Sequence, residues 1–471
     1  MATTVTPKTS ARREASDAVP PHGSPVVAGL PRGPRAPALV QTLVWGLAPT
    51  WAMDRYARKL GDAFTLTFFP SGLKLVLVSD PEAVKRVFTA PPDVAPSATG
   101  SSPLAPVMGR NSVLVLTGAE HMRQRKLLLP PFHGERMREY EDVIVQETRK
   151  DMASWPLGRP MRLQERTRQI TLAVILRAVF GVEAERMGPL RAAIGELLEP
   201  MRTVAVLRVL LSKPTGERPT GAIGMALDRL DRLIYEEISN RRAQSDLGQR
   251  ADILSLLMQA RDEDSVEMSD EELRDELVTL LLAGHETTAT AVAWAVERLV
   301  RHPQKLARLV AEIDGGEGDE YMTAVVNETL RVRPVVPLVA RLLTQELEVG
   351  GYRLPAGTRV MPSIYATNRS PRVYDAPAEF RPERFLESAP ETFSWIPFGG
   401  GIRRCIGASF ALLEMKLMLR TVLGELQPRL PDGRRWREGE WIRRRAITLV
   451  PAAGTRVVWD RRRASPARSE G

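Results

Sequence analysis

The chain's only cysteine, Cys405, stands in the run "PFGGGIRRCIG", behind glycines 399, 400 and 401 and two arginines, and two residues ahead of Gly407. A thiol so placed has few chemical uses. A phosphate-cradling loop needs Gly-Lys-Ser/Thr at the start of a helix, and this run has no such lysine. A thiol nucleophile leans on a histidine, and nothing in the sequence places His22, His121, His133, His285 or His302 beside the sulfur. A thiolate can also be the axial ligand of a haem iron. For that use, glycines let the backbone pass close to a porphyrin and aim N–H groups at the sulfur, and Arg403 could pair with a propionate. The plain alternative is a buried cysteine in a tight turn.

A second set of reactive groups lies in "AGHETT", residues 283–288. It falls in the middle of a long apolar helical segment that opens with the capping pair Ser269 and Glu272 and runs to Pro303. Polar groups set in an apolar helix need partners or a function. An acid beside a hydroxyl, Glu286 beside Thr287, suits proton delivery. "NETLRVRP" puts Glu328 and Arg331 three apart on one helix face, and "FRPERF" supplies Arg384 downstream. His121 and Arg125 in "GAEHMRQRK" are one helical turn apart, a spacing suited to an anionic partner, and Arg341 follows in "PLVARLL".

"FGGGIRRCIG" resembles the haem-binding signature of the cytochrome P-450 superfamily, F-x-x-G-x-R-x-C-x-G, at Phe398, Gly401, Arg403, Cys405 and Gly407. "AGHETT" is similar to the family's A/G-G-x-D/E-T-T/S segment. Glu328, Arg331 and Arg384 are similar to its E-x-x-R pair and P-E-R-F arginine. The resemblance implies haem b with Cys405 as the metal ligand and His121, Arg125, Arg341 and Arg403 on the propionates. By the same resemblance Thr287 would hold oxygen or a water, Glu286 would relay protons, and Ala283 and Gly284 would leave room for oxygen. Glu328, Arg331 and Arg384 would form a buried scaffold. The implied activity is a monooxygenase that activates dioxygen to hydroxylate or epoxidise an apolar molecule such as a fatty acid, terpenoid or polyketide. No flavin or dinucleotide domain fits the length, so a separate ferredoxin or flavodoxin with its NAD(P)H-dependent reductase is the expected electron source. Arg404, Lys416 and Arg420 are its expected docking cations. The alternatives are a peroxide-using hydroxylase or isomerase and a non-catalytic haem sensor or carrier. One departure is the connection "DGGEGDEYMTA", shorter than in many relatives, which puts the local helix before Glu328 in question.

Mostly helix is needed to position these groups. Apolar residues recur at helical spacing from about residue 82 to 312 and again from 408 to 426. Residues 63–80 and the run "LEVGGYRLPAGTRVM" read as hairpins, and "AITLVP" and "TRVVWD" as strands. The fold class expected is mainly α with small β-sheets (α+β): one domain, residues 37–460, with the haem between a long central helix and the cysteine loop. The net charge of +9 does not indicate nucleic acid, because residues 1–36 and 461–471 carry six of the nine charges and read as solvated tails. A single cysteine excludes an internal disulfide, and the apolar run 38–48 is too short to span a bilayer. A cytoplasmic monomer without a membrane anchor is therefore expected. Apolar stretches assign a substrate pocket to residues 201–211 and to Leu104, Val107, Met108, Val335, Val336, Leu338 and Thr448.

Overall fold

The computed structural model describes residues 26–98, 105–182, 187–198, 218–316, 318–431 and 439–462. In chain order, the helices that set up the site are α1 (Ala38–Leu47), α2 (Pro49–Leu60), α3 (Gly118–Leu128), α4 (Leu163–Phe180), α5 (Asp270–Arg301), α6 (Glu320–Val332) and α7 (Ala408–Glu425). The cap read from the sequence opens α5. The Ser269 hydroxyl accepts from the Glu272 N–H, and the Glu272 carboxylate accepts from the Ser269 N–H. From that cap the helix runs 32 residues, until Pro303 starts a separate one. It is buried nearly all round, packed lengthwise on α4 and crossed by α7. Leu277, Leu281 and Val292 of α5, Val174 and Phe180 of α4 and Leu419 of α7 share the main core. Each such side chain contributes roughly 1.5–3 kcal/mol by leaving water.

Small sheets frame this helical body. β2 (Ala63–Phe68) and β3 (Leu73–Val78) pair antiparallel, Ala63 opposite Val78, as the hairpin reading expects. β3 then runs parallel to β8 (Arg359–Pro362), whose other edge takes β5 (Arg341–Leu342) and with it Arg341. A second sheet joins β1 (Val27–Ala28) to the hairpin of β6 (Leu347–Val349) and β7 (Tyr352–Leu354). The third contains β4 (Pro160–Arg162), β12 (Arg456–Arg461) and β9 (Leu426–Arg429), and a last hairpin pairs β10 (Ile442–Arg445) with β11 (Thr448–Pro451).

Both domain boundaries need correcting. Residues 26–36 are fitted to the domain: β1 pairs with β7, and Thr65 donates its N–H to Arg32 O and its hydroxyl to Pro31 O. At the other end Arg461 extends β12, and the Arg462 guanidinium pairs with Asp314. The first segment includes two prolines and two glycines, but its backbone groups find sheet partners. The helix before Glu328 forms in full despite the brief connection, because the Glu312 carboxylate accepts from the N–H groups of Tyr321 and Met322 at its start.

Candidate functional site

The cysteine loop is closed by its own backbone. Gly399 N–H donates to Ile396 O, Arg404 N–H to Gly401 O, and Cys405 N–H back to Phe398 O. Phe398 stacks edge-on against Trp395. Gly401 has φ +64°, and a Cβ there would lie 2.1 Å from Phe88 O; one on Gly400 would lie 2.5 Å from the Phe88 ring. These two glycines therefore admit Phe88 of the protein itself, whereas none of the described residues crowds Gly407. α7 starts three residues after the sulfur, so a thiolate meets the positive end of a helix. Burial pushes the Cys405 thiol up, while the Gly407 N–H and the Arg404 and Arg125 guanidiniums pull the other way. Cys405 as a residue is nonetheless exposed despite its protein surroundings, so it borders an open recess.

Beside this loop the sequence brings four nitrogen groups together from distant elements. His121 and Arg125 come from α3, Arg341 from β5 and Arg403 from the loop. Burial first, then Arg403, Arg125 and Arg341, lower the His121 pKa to about 4, and its Nδ1 has no partner. Burial alone lowers Arg341 to about 10, and burial with Arg341 and Arg125 does the same to Arg403. Among the described residues no carboxylate answers these three guanidiniums. Arg403 instead donates to the carbonyls of Val113 and Leu116. Three desolvated cations and an orphaned imidazole around a thiol fit the carboxylates of a haem held at its sulfur.

The sign of the His121 shift gives a pH test. Between about pH 4 and 6.5 the unfolded chain binds a proton that the folded, haem-free chain refuses. His121 thus contributes stability that is present above pH 6.5 and lost as pH falls toward 4. Urea titrations of the haem-free chain should show about 2–3 kcal/mol less of this contribution near pH 4.5 than at neutrality. His121→Gln should lack that part of the acid slope; an unchanged slope contradicts the assignment.

On α5, Ala283 is exposed although Leu281 and His285 beside it are buried, so an opening lies against mid-helix. Thr287, one turn on, donates its hydroxyl to Ala283 O at 2.7 Å. Gly284 packs on Ile175. Glu286 differs from the expectation of an acid free to relay. Its carboxylate lies 2.7 Å from Arg168 of α4 and 3.3 Å from Arg445 of β10. A carboxylate in that clamp must leave an arginine before it can pass a proton on. Sequence reasoning missed a second acid: Glu414 of α7, fully buried, pushed up to about 8 by burial against a hydrogen bond from Thr288. Its only signal was a lone carboxylate in the apolar run "FALLEMKLML".

Glu328, Arg331 and Arg384 do meet. Arg331 grips Glu328 with two nitrogens, 2.6 and 2.9 Å, both side chains fully buried, and Arg384 reaches the same carboxylate at 3.2 Å. Remaining donors of Arg331 go to the carbonyls of Asn368, Pro377 and Glu379. Asn368 in turn accepts from the Ile396 N–H, which carries the scaffold to the cysteine loop.

The pocket assignments fare less well. Val107 and Val335 belong to the main core, and Met108 and Thr448 are also buried, so these four offer a ligand little surface. Val336 and Leu338 are half-buried. Leu104 and residues 201–211 lie outside the described residues. Of the docking cations, Arg404 and Arg420 are exposed, Arg420 with one bond to Gly318 O, whereas Lys416 is tied to Asp319.

The family model for cytochrome P-450 matches residues 31–447. Cytochrome P-450 137 of Mycobacterium tuberculosis is 42% identical over 452 residues, 95% of this chain and 92% of that protein. Cytochrome P-450 135B1 of Mycobacterium bovis is 38% identical over 437 residues, 91% of each. The solved structure of retinoic-acid-bound cyanobacterial CYP120A1 superposes with a TM-score of 0.79 at 23% identity, covering 92% of this chain and 99% of that one. The haem domain of cytochrome P-450DA gives 0.78 at 23% identity, over 93% and 98%. The chain belongs to the cytochrome P-450 family. It is a monooxygenase of the haem-thiolate class.

Proposed function

We propose that the protein oxidises a small apolar molecule, holding haem b through Cys405 and taking electrons from a separate ferredoxin or flavodoxin served by its reductase. The observation that carries this reading is the cluster of His121, Arg125, Arg341 and Arg403 beside the exposed Cys405, with no carboxylate partner among the described residues. Bound haem with a thiolate ligand supplies reductive activation of dioxygen. The chain's own groups then divide the remaining work. The Gly407 N–H tempers the Cys405 sulfur. Thr287 Oγ1, anchored on Ala283 O, has lone pairs left to accept from a water in the recess. Glu414, beside Thr288, holds a proton at neutral pH, and Glu286 becomes a donor only when its arginines part. The exposed Arg404 and Arg420 are the cations that suit an acidic electron donor. Apolar residues 335–338, leading into Arg341, favour an apolar substrate.

Thr287→Ala tests the proton-handling role. A panel of apolar compounds, screened by haem spin-state shift, first supplies a substrate. The variant should bind haem and substrate normally yet yield about tenfold less product per electron pair consumed. Unchanged coupling would instead favour the peroxide-using enzyme or the haem carrier.

A further inference from the structure

Helix α1 is built inside out. It carries no charged residue, and its one buried side chain is polar. Gln41 donates to Ala36 O and accepts from the Thr67 N–H, while Thr42 accepts from the Phe69 N–H. Leu39, Leu43 and Leu47, spaced four apart on one face, point outward, Leu47 with 84% of its surface exposed. Trp51 in the first turn of α2 and Phe69 beyond β2 are half-exposed as well. A helix on a globular surface normally shows the reverse polarity, and an apolar patch of this kind marks a contact surface. The charge of this segment is mostly positive. Residues 26–78 contain six cations, all exposed, against Asp54 and Asp62. Asp54 accepts from the Tyr365 hydroxyl, and Asp62 pairs with Arg372. Arg55 lies over the Trp51 ring, 5.7 Å from its centre.

We propose that this face docks on an anionic lipid bilayer, with α1 lying in the interface and the surrounding arginines and lysines on the headgroups. The inference goes beyond the oxygenase reading and does not depend on it. Because α1 turns its hydrogen-bonding groups inward, it offers a partner hydrocarbon and no polar group to set a register, which suits acyl chains. Basic flanks select anionic headgroups. A second copy seated on this face would oppose cations to cations. Spanning is not involved, since α1 has ten residues and no described helix is long and apolar enough to cross a membrane.

Flotation of the full haem-loaded chain with vesicles provides the test. Vesicles of mixed phosphatidylglycerol and phosphatidylcholine should carry it at low salt. Pure phosphatidylcholine, or about 0.5 M salt, should carry about tenfold less. Leu43→Glu with Leu47→Glu should cut binding by about tenfold while the reduced carbon monoxide spectrum is unchanged, which separates lost docking from lost folding. Arg55→Glu with Arg58→Glu should weaken only the phosphatidylglycerol-dependent part. Three results overturn the proposal. Mixed vesicles that leave the wild type behind rule lipid out as the occupant of this face. Undiminished binding by the leucine variant assigns docking elsewhere. A lipid-free dimer by light scattering, dissolved by the leucine variant, assigns the face to a second copy.

Discussion

Cys405→Ser should give a folded chain whose reduced carbon monoxide complex lacks the red-shifted thiolate band and whose oxygenase turnover falls by about three orders of magnitude or more. The change is nearly isosteric. It leaves untouched the backbone bonds from Cys405 to Phe398, Gly399 to Ile396 and Arg404 to Gly401 that shape the loop. The urea midpoint should therefore stay close to that of the wild type. What is lost is the soft, polarisable ligand at the start of α7, for which a hydroxyl is a poor substitute. A serine variant that kept the red-shifted band would remove Cys405 from the iron altogether.

Glu328→Leu should have the largest effect on folding. Arg331 is fully buried, and without Glu328 its charge has backbone carbonyls but no counter-ion. Breaking such a pair from one side costs about 3–5 kcal/mol, a large share of the net stability of a single domain. Little haem-loaded protein should be recovered, and its urea midpoint should drop sharply. Glu328→Gln, which keeps the shape and an acceptor, should fall between the two. Glu271→Gln is the control: its partner Arg110 is 82% exposed, so the midpoint should not move. Equal effects at the two sites would show that Glu328 is no more than a surface-type pair.

Much of this arrangement was legible in the chain because the interactions are local. The α5 cap spans three residues, the β2–β3 register follows alternation across a tight turn, and Glu328 and Arg331 share one helix face. The cysteine loop is likewise closed within ten residues. What escaped was decided by distance along the chain. Arg168 and Arg445, which clamp Glu286, come from opposite sides of α5 in sequence, and Thr288 meets Glu414 from another helix. Lys416 looked available for docking until the fold brought Asp319 to it. Apolar residues 107 and 335 could serve a pocket or a core equally well by composition, and packing assigned them to the core.

The scaffold behind the cysteine loop has a consequence for how the protein could be rebuilt. Arg331 and Arg384 hold the segment from Asn368 to Glu379 through its carbonyl oxygens, and Trp395 fastens to the carbonyl of Asn327. Most of what they grip is present in every amino acid. A foreign segment of equal length should therefore be graftable between α6 and the loop without displacing the sulfur, provided it retains Asn368 for its bond to Ile396 and Tyr374, whose ring lies under both arginines and whose hydroxyl donates to Ser394 O. The two arginines work as a jig whose grip is mostly on backbone, with two side chains as its fixed pins.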